Sequence, residues 1–334
     1  MEVDAEELAY FRRQALSCWY LTGATASGKS RIGITLARRL GAEIISLDSM
    51  AVYREMDIGT SKVMQEDRLG VPHHMIDIVD PSVEYSLAQY IHAARNKIDE
   101  IQLRGNKVLF VGGTPLYLKS MLRGIFEGPA ADKDFRMRLL SKVEGRASDF
   151  LHNLLQKVDP DSAKRLHPND TRRIVRALEV YEITGKPISF YQKQFDVGTD
   201  ASECHVYVLQ TPRDILYAQI DKRVDRMIYD GFLDEVKKLK ERKQPISQTA
   251  RQALGYREFF DYLDSKLKYG EAVNLIKQNT KQFSKHQETW FKSLSECRFT
   301  SAERPEFDID DEFDENDFNE ELASVVEDDD DVDE

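Results

Sequence analysis

Cysteine is scarce. The 334 residues hold three, Cys18, Cys204 and Cys297, none in CxxC spacing. That excludes a disulfide scaffold and a zinc finger, and fits reduced, buried thiols in the cytoplasm. Long hydrophobic runs are missing too. Stretches such as Val108-Leu109-Phe110-Val111 fall far short of the ~20 apolar residues of a membrane span, so no membrane partner is expected. The opening MEVDAEELAYFRRQ carries four acidic residues before its first arginine; neither a secretory signal nor a transit peptide is expected there. Basic residues fail in one region only. Residues 301–334 contain 18 Asp/Glu and one Arg, a net of -17, whereas residues 1–300 keep 46 of the 47 basic and 41 of the 59 acidic residues, a net of +5. A mildly basic body with an acidic tail suits polyanion binding with a solubilising or self-competing appendage, although +5 is ordinary for other enzymes as well.

What is present alternates. Ser17–Leu21 is a short β-rich run ending at a glycine loop, and Lys29–Leu40 follows as a helix. Ala42–Leu47 reads as a second strand, Ser86–Leu103 as a long amphipathic helix, Lys107–Val111 as an apolar strand and Val206–Gln210 as one more. Strands and helices in this rhythm predict parallel βαβ units in a three-layer α/β core. From about 128 to 195 the pattern is helical and polar, with helices expected at Asp132–Val143, Ser148–Val158 (Ser148 as N-cap) and Asp170–Thr184. Such a block between strands of one sheet reads as an insertion. The expected organisation is a core of residues 1–127 and 196–300, a helical insertion of 128–195, and a tail of 301–334. The isolated Phe, Ile and Val of that tail bury too little surface to offset chain entropy, so it is expected to be disordered and dispensable for folding.

Gly23-Ala24-Thr25-Ala26-Ser27-Gly28-Lys29-Ser30 matches the phosphate-loop pattern GxxxxGK[ST], with a strand before and a helix after. Glycines let backbone N–H groups face a phosphate, Lys29 neutralises charge, and the Ser30 hydroxyl suits Mg²⁺. Asp48 closes the second strand, where open α/β sheets bind ligands. It reads as a metal-positioning carboxylate, as a general base, or as a turn aspartate. Gly112-Gly113-Thr114 follows the third strand without any acid, which argues against an ordinary ATPase. Arg172, Arg173 and Arg176 lie on one helix, Arg172 and Arg176 one turn apart: either a phosphodiester-binding face or a solvated one. Arg251–Arg257 and Lys277–Lys292 mix cations with Tyr256, Phe283, Trp290 and Phe291, a composition that suits an RNA strand as well as helix cores. The His73-His74 pair lacks a third metal ligand, and a structural or substrate-positioning role is expected of it.

Seven stretches in order, GATASGKS, DSMAVYREMDIGTSK, GVPHHMIDIVDP, VGGTPLYLKSML, HPNDTRRIVRALEVYEITGKP, ALGYRE and TKQFSKHQETWF, make residues 17–293 resemble the tRNA dimethylallyltransferase (tRNA isopentenyltransferase) family of bacterial type. The resemblance implies a P-loop, nucleotide-kinase-like core that moves a dimethylallyl group from its diphosphate to the exocyclic amine of the adenosine 3′ to the anticodon. It implies that Gly23 to Ser30 hold the donor's diphosphate, with Ser30 on Mg²⁺, and that Lys29 and Arg223 offset charge on the leaving group. Asp48 becomes the base, and Thr114 helps to fix it. Asp48, Ser49, Met50 and Ala51, Arg172, Arg173 and Arg176, Arg251, Tyr256 and Arg257, and Lys285 to Lys292 with Trp290 match the family's tRNA contacts. The insertion would grip the anticodon stem-loop, and the chain is expected to act as a cytoplasmic monomer. Three features depart from the pattern: Ala24 where proline is common, His286 where arginine is common, and the acidic tail.

Overall fold

The structure, a computed structural model, describes residues 5–126, 128–142, 149–192 and 197–309, with residues 318, 319 and 322. It divides into two compact units, 123–197 and the rest of the chain.

The larger unit is built on a six-stranded parallel sheet: β1 (Trp19–Gly23), β2 (Ala42–Ser46), β3 (His73–His74), β4 (Lys107–Val111), β5 (His205–Gln210) and β6 (Arg298–Ser301), in the order β3-β2-β4-β1-β5-β6. Every residue of β1 and β2 is buried, as expected for parallel strands covered on both faces. Helix α1 (Ala5–Leu16) precedes β1 and α4 (Pro115–Arg123) follows β4; the helices after β1 and before β4, α2 (Lys29–Leu40) and α3 (Leu87–Leu103), match the sequence reading closely. Ser86 caps α3 by accepting from the Gln89 amide, and Gln89 returns the bond to Ser86. On one face Ile32, Leu36 and Leu40 of α2 pack on Leu21, Ile44 and Leu109.

Two strands escaped the sequence reading. β3 is two residues long, and its His74 Nε2 meets Glu43 Oε2 at 2.6 Å while Arg104 and Asn106 donate to the same carboxylate. The histidine pair is therefore structural, an edge strand pinned to β2. β6 pairs with β5 and carries the chain into the acidic segment. There the expectation of a tail with nothing to pack on fails at three points. Phe307, Phe318 and Leu322 are buried in the cluster that holds Trp19 and Tyr207, and the Asp308 amide donates to the Tyr207 hydroxyl at 2.9 Å. The remainder of that segment lies outside the described residues.

Unit 123–197 is helical, with no strand among its described residues: α5 (Lys133–Ser141), α6 (Phe150–Val158), α7 (Pro160–Arg165), α8 (Thr171–Thr184) and α9 (Ile188–Gln192). Asp132 and Asp170 cap α5 and α8, and α8 ends at Gly185 in the left-handed region. Ser148, expected to cap α6, lies outside the described residues. Leu151, Leu155, Ile174 and Leu178 form the unit's own core. Back in the larger unit, α10 (Arg213–Tyr229), α11 (Phe232–Lys240), α12 (Gln248–Arg251), α13 (Tyr256–Leu263) and the long α14 (Tyr269–Lys292) complete the molecule after β5. Among the described residues no helix is long and apolar enough to cross a membrane.

Candidate active site

Three loops leave the carboxyl ends of neighbouring strands: 23–29 after β1, 47–51 after β2 and 112–114 after β4. Their closeness depends on one missing side chain. A Cβ at Gly112 would lie 2.3 Å from the Leu47 carbonyl oxygen, so only glycine lets the second and third loops touch. The Thr114 amide then donates to the Leu47 carbonyl, and Thr114 Oγ1 accepts from the Ser49 amide at 3.2 Å. Thr114 thus fixes the backbone immediately after Asp48, not the carboxylate itself.

Asp48 accepts from the Met50 amide at 2.7 Å and the Ala51 amide at 3.3 Å, both through Oδ1. The turn reading holds for that oxygen. Oδ2 has no hydrogen bond among the described residues, which leaves one oxygen free for chemistry. Tyr90, whose hydroxyl donates to the Ser46 carbonyl at the end of β2, stacks on Tyr117 at 4.0 Å. Burial, and for Tyr117 next the charge of Asp48, pushes both phenols up, so they stay neutral.

The first loop has the shape of an anion cradle. Ala26 sits at φ 65° and Gly28 at φ 77°, and Gly28 puts no side chain on the first amides of α2, leaving them to a ligand. Ser27 Oγ is buried without a partner, a costly state unless something binds there. Lys29 Nζ rests on the Ala24 carbonyl at 2.9 Å. Although the side chain is partly exposed, its ammonium is closely surrounded. Burial, then the like charge of Arg223, pulls it down to about 8 against the opposing pull of Asp48. Burial likewise lowers Arg223, on α10, again opposed by Asp48. Two cations thus lie within reach of one carboxylate without pairing to it directly, and a bound anion would offset their mutual repulsion. Ser30 is exposed at the first turn of α2, and its hydroxyl has no partner among the described residues.

Elsewhere the expected contacts divide. Two loop amides are already engaged: that of Thr25 donates to the Gln287 side chain and that of Ser27 to the Ala24 carbonyl. Ala51 is buried, so Ser49 and Met50 carry what that turn exposes. Tyr256 cannot meet RNA: it is fully buried, and its hydroxyl donates to Glu235 at 2.6 Å. Glu235 also accepts from the amides of Asp57, Ile58 and Gly59, an anchor for the 57–59 loop with no signal in the sequence beyond an acid on an amphipathic helix. Arg176 turns inward, its guanidinium on Glu179 and on the Pro129 carbonyl, with Arg136 on the same buried carboxylate. Arg172 and Arg173 stay exposed on α8, Arg173 near Asp170. Arg251 pairs with Asp264 and Arg257 with Glu258, both partly exposed. Lys285 is exposed and Trp290 half-buried on α14.

Comparison with known proteins agrees with this geometry. A model of the IPP transferase family matches residues 51–294. The tRNA dimethylallyltransferase of Geobacter metallireducens is 44% identical over 274 residues, covering 82% of this chain and 89% of the relative. That of Carboxydothermus hydrogenoformans is 46% identical over 273 residues, covering 81% and 88%. Among solved structures, the tRNA isopentenylpyrophosphate transferase of Bacillus halodurans superposes with TM-score 0.63 at 37% identity, covering 93% of this chain and 96% of that one. A eukaryotic dimethylallyltransferase acting on tRNA does so with TM-score 0.68 at 31% identity, covering 85% and 73%. With most of its length matched and a phosphate loop facing a strand-end aspartate, the chain belongs to the IPP transferase family.

Proposed function

We propose that the chain transfers a dimethylallyl group from dimethylallyl diphosphate to the exocyclic amine of the adenosine 3′ to the anticodon of a tRNA, releasing pyrophosphate. The observation that carries this reading is that Lys29, at the start of the helix after the phosphate loop, and Arg223 both lie within reach of the charge of Asp48, whose Oδ1 is held by the backbone while Oδ2 is left without a hydrogen bond among the described residues. An adenine amine is a weak nucleophile because its lone pair is delocalised into the ring. The allylic carbon compensates by tolerating positive charge as its bond to the diphosphate oxygen breaks. The new C–N bond forms as that C–O bond opens, and Asp48 accepts the amine proton, worth roughly 10²–10⁴-fold. Lys29, Arg223 and the first amides of α2 meet the charge that grows on the departing diphosphate.

A divalent ion fits the donor set, and we infer Mg²⁺. The unpartnered hydroxyls of Ser30 and Ser27 are hard oxygens suited to it, and Ser30 would hold it. Bound there, it would screen the diphosphate as a Lewis acid. For the acceptor, exposed Arg172 and Arg173 on α8, and Lys285 with Trp290 on α14, offer phosphate contacts and a stacking surface. We assign the 123–197 unit to the anticodon stem-loop, and the enzyme to the cytoplasm as a monomer.

The test is incubation with labelled dimethylallyl diphosphate and either total tRNA or AMP. Label is expected in tRNA alone. Equal labelling of AMP would make the chain an isopentenyltransferase of free nucleotides, and no labelling of either would end the proposal.

A further inference from the structure

The family resemblance gives 285–292 to the RNA, yet one residue of that stretch faces the other way. Gln287 is 2% exposed. Its Oε1 accepts from the Thr25 amide at 2.8 Å, and its Nε2 donates to the Gly113 carbonyl at 2.5 Å. One side chain therefore bridges the phosphate loop and the turn after β4. The third loop is shaped to receive it. A Cβ at Gly113 would stand 2.5 Å from Gln287 Nε2 and 3.3 Å from Lys29 Cε. The bare backbone there admits both the amide and the lysine stem. Next in the chain, Thr114 holds the Ser49 amide, so an unbroken series of contacts runs from Asp48 through Thr114, Gly113 and Gln287 to Thr25.

We propose that Gln287 is a positioning residue, fixing the phosphate loop in register with the turn that carries the base. It touches no reacting atom. An amide suits both ends at neutral pH, because one must accept and the other donate, which an ionised carboxylate of the same length cannot do. A loop that drifts even by about 1 Å loses the near-attack geometry on which transfer depends. The proposal rests on the transfer reaction above, but its first readout does not.

The experiment titrates inorganic pyrophosphate with Mg²⁺ into the full chain, then measures transfer to a synthetic anticodon stem-loop. In Gln287→Met, which keeps volume but neither bond, pyrophosphate affinity is expected to fall at least tenfold. The kcat for transfer should fall more than tenfold while the stem-loop KM stays within threefold. Gln287→Glu supplies a control that packing cannot mimic. Protonated, the acid can donate to Gly113 and accept from Thr25; ionised, it repels the Gly113 carbonyl and the ligand. Pyrophosphate affinity relative to the natural chain should recover as pH falls from 8 to 5. Unchanged pyrophosphate affinity in Gln287→Met would overturn the proposal. So would a Glu variant with no pH-dependent recovery, which would make Gln287 mere packing. If pyrophosphate binding responds as expected while the natural chain transfers nothing, the positioning role stands and the proposed reaction falls.

Discussion

At the scale of single residues, the site is a matter of which atoms are already spoken for. Asp48 spends Oδ1 on the backbone and keeps Oδ2. Asp48→Asn retains an oxygen for the Met50 amide but removes the base. Single-turnover transfer should drop roughly 10²–10⁴-fold, with pyrophosphate affinity within a few fold; a smaller drop in rate would take the base away from Asp48. Lys29 gives a pH signature. In the folded chain its ammonium holds its proton below about 8, against an ordinary value of 10.5. Between those values the unfolded chain binds more protons, so stability rises with pH across that window. A bound polyanion favours the charged form. Pyrophosphate affinity should therefore weaken as pH rises through 8, with proton uptake on binding, readable by calorimetry in two buffers. Lys29→Met should abolish both the dependence and the uptake. On α8 the two arginines one turn apart separate: Arg172→Ala should weaken RNA binding and reduce its salt slope by about one. Arg176→Ala should instead cost about 1.5–3 kcal/mol of stability by stripping bonds from a buried carboxylate, seen in denaturant unfolding of the free protein.

Elements show where local signals suffice and where they do not. The phosphate loop, α2, α3 and β4 were legible because each carries its own pattern: a glycine motif, a cap, a helical stripe, an apolar run. β3 and β6 carry none. Two histidines become a strand only because Glu43 waits on the neighbouring strand, and Arg298–Ser301 pairs with β5 from nearly a hundred residues away. The same blindness explains Tyr256 and Arg176. A tyrosine or arginine in a polar motif looks alike whether it meets RNA or a buried carboxylate such as Glu235 or Glu179. Phe307 and Phe318 are the strongest case, since composition argued that residues past 301 could not be packed. Each buries its ring in the Trp19–Tyr207 cluster, so Phe307→Ala and Phe318→Ala should each cost about 3–5 kcal/mol in urea unfolding. Truncation after Ser301 should cost more than either, and a truncated chain of undiminished stability would return that segment to a passive appendage.

For the whole molecule, the parallel sheet supplies a rigid base from which three loops reach one anion-ready hollow, and the acid-rich end of the chain is stitched to that base by aromatic anchors. The family, the core and the phosphate site could be inferred from motif order; the internal ties that hold loop to loop could not, because hydrogen bonds between residues tens to hundreds of positions apart leave no periodicity. One of those long-range ties has a consequence for synthesis. Because β6 is the last strand among the described residues, β5 remains an open edge until residue 301 has cleared the ribosome, and unpaired edges recruit other chains. A nascent polypeptide halted before residue 298 thus presents the largely apolar β5 as its edge, and the four-residue β6 replaces it with a shorter edge whose alternate residues face water.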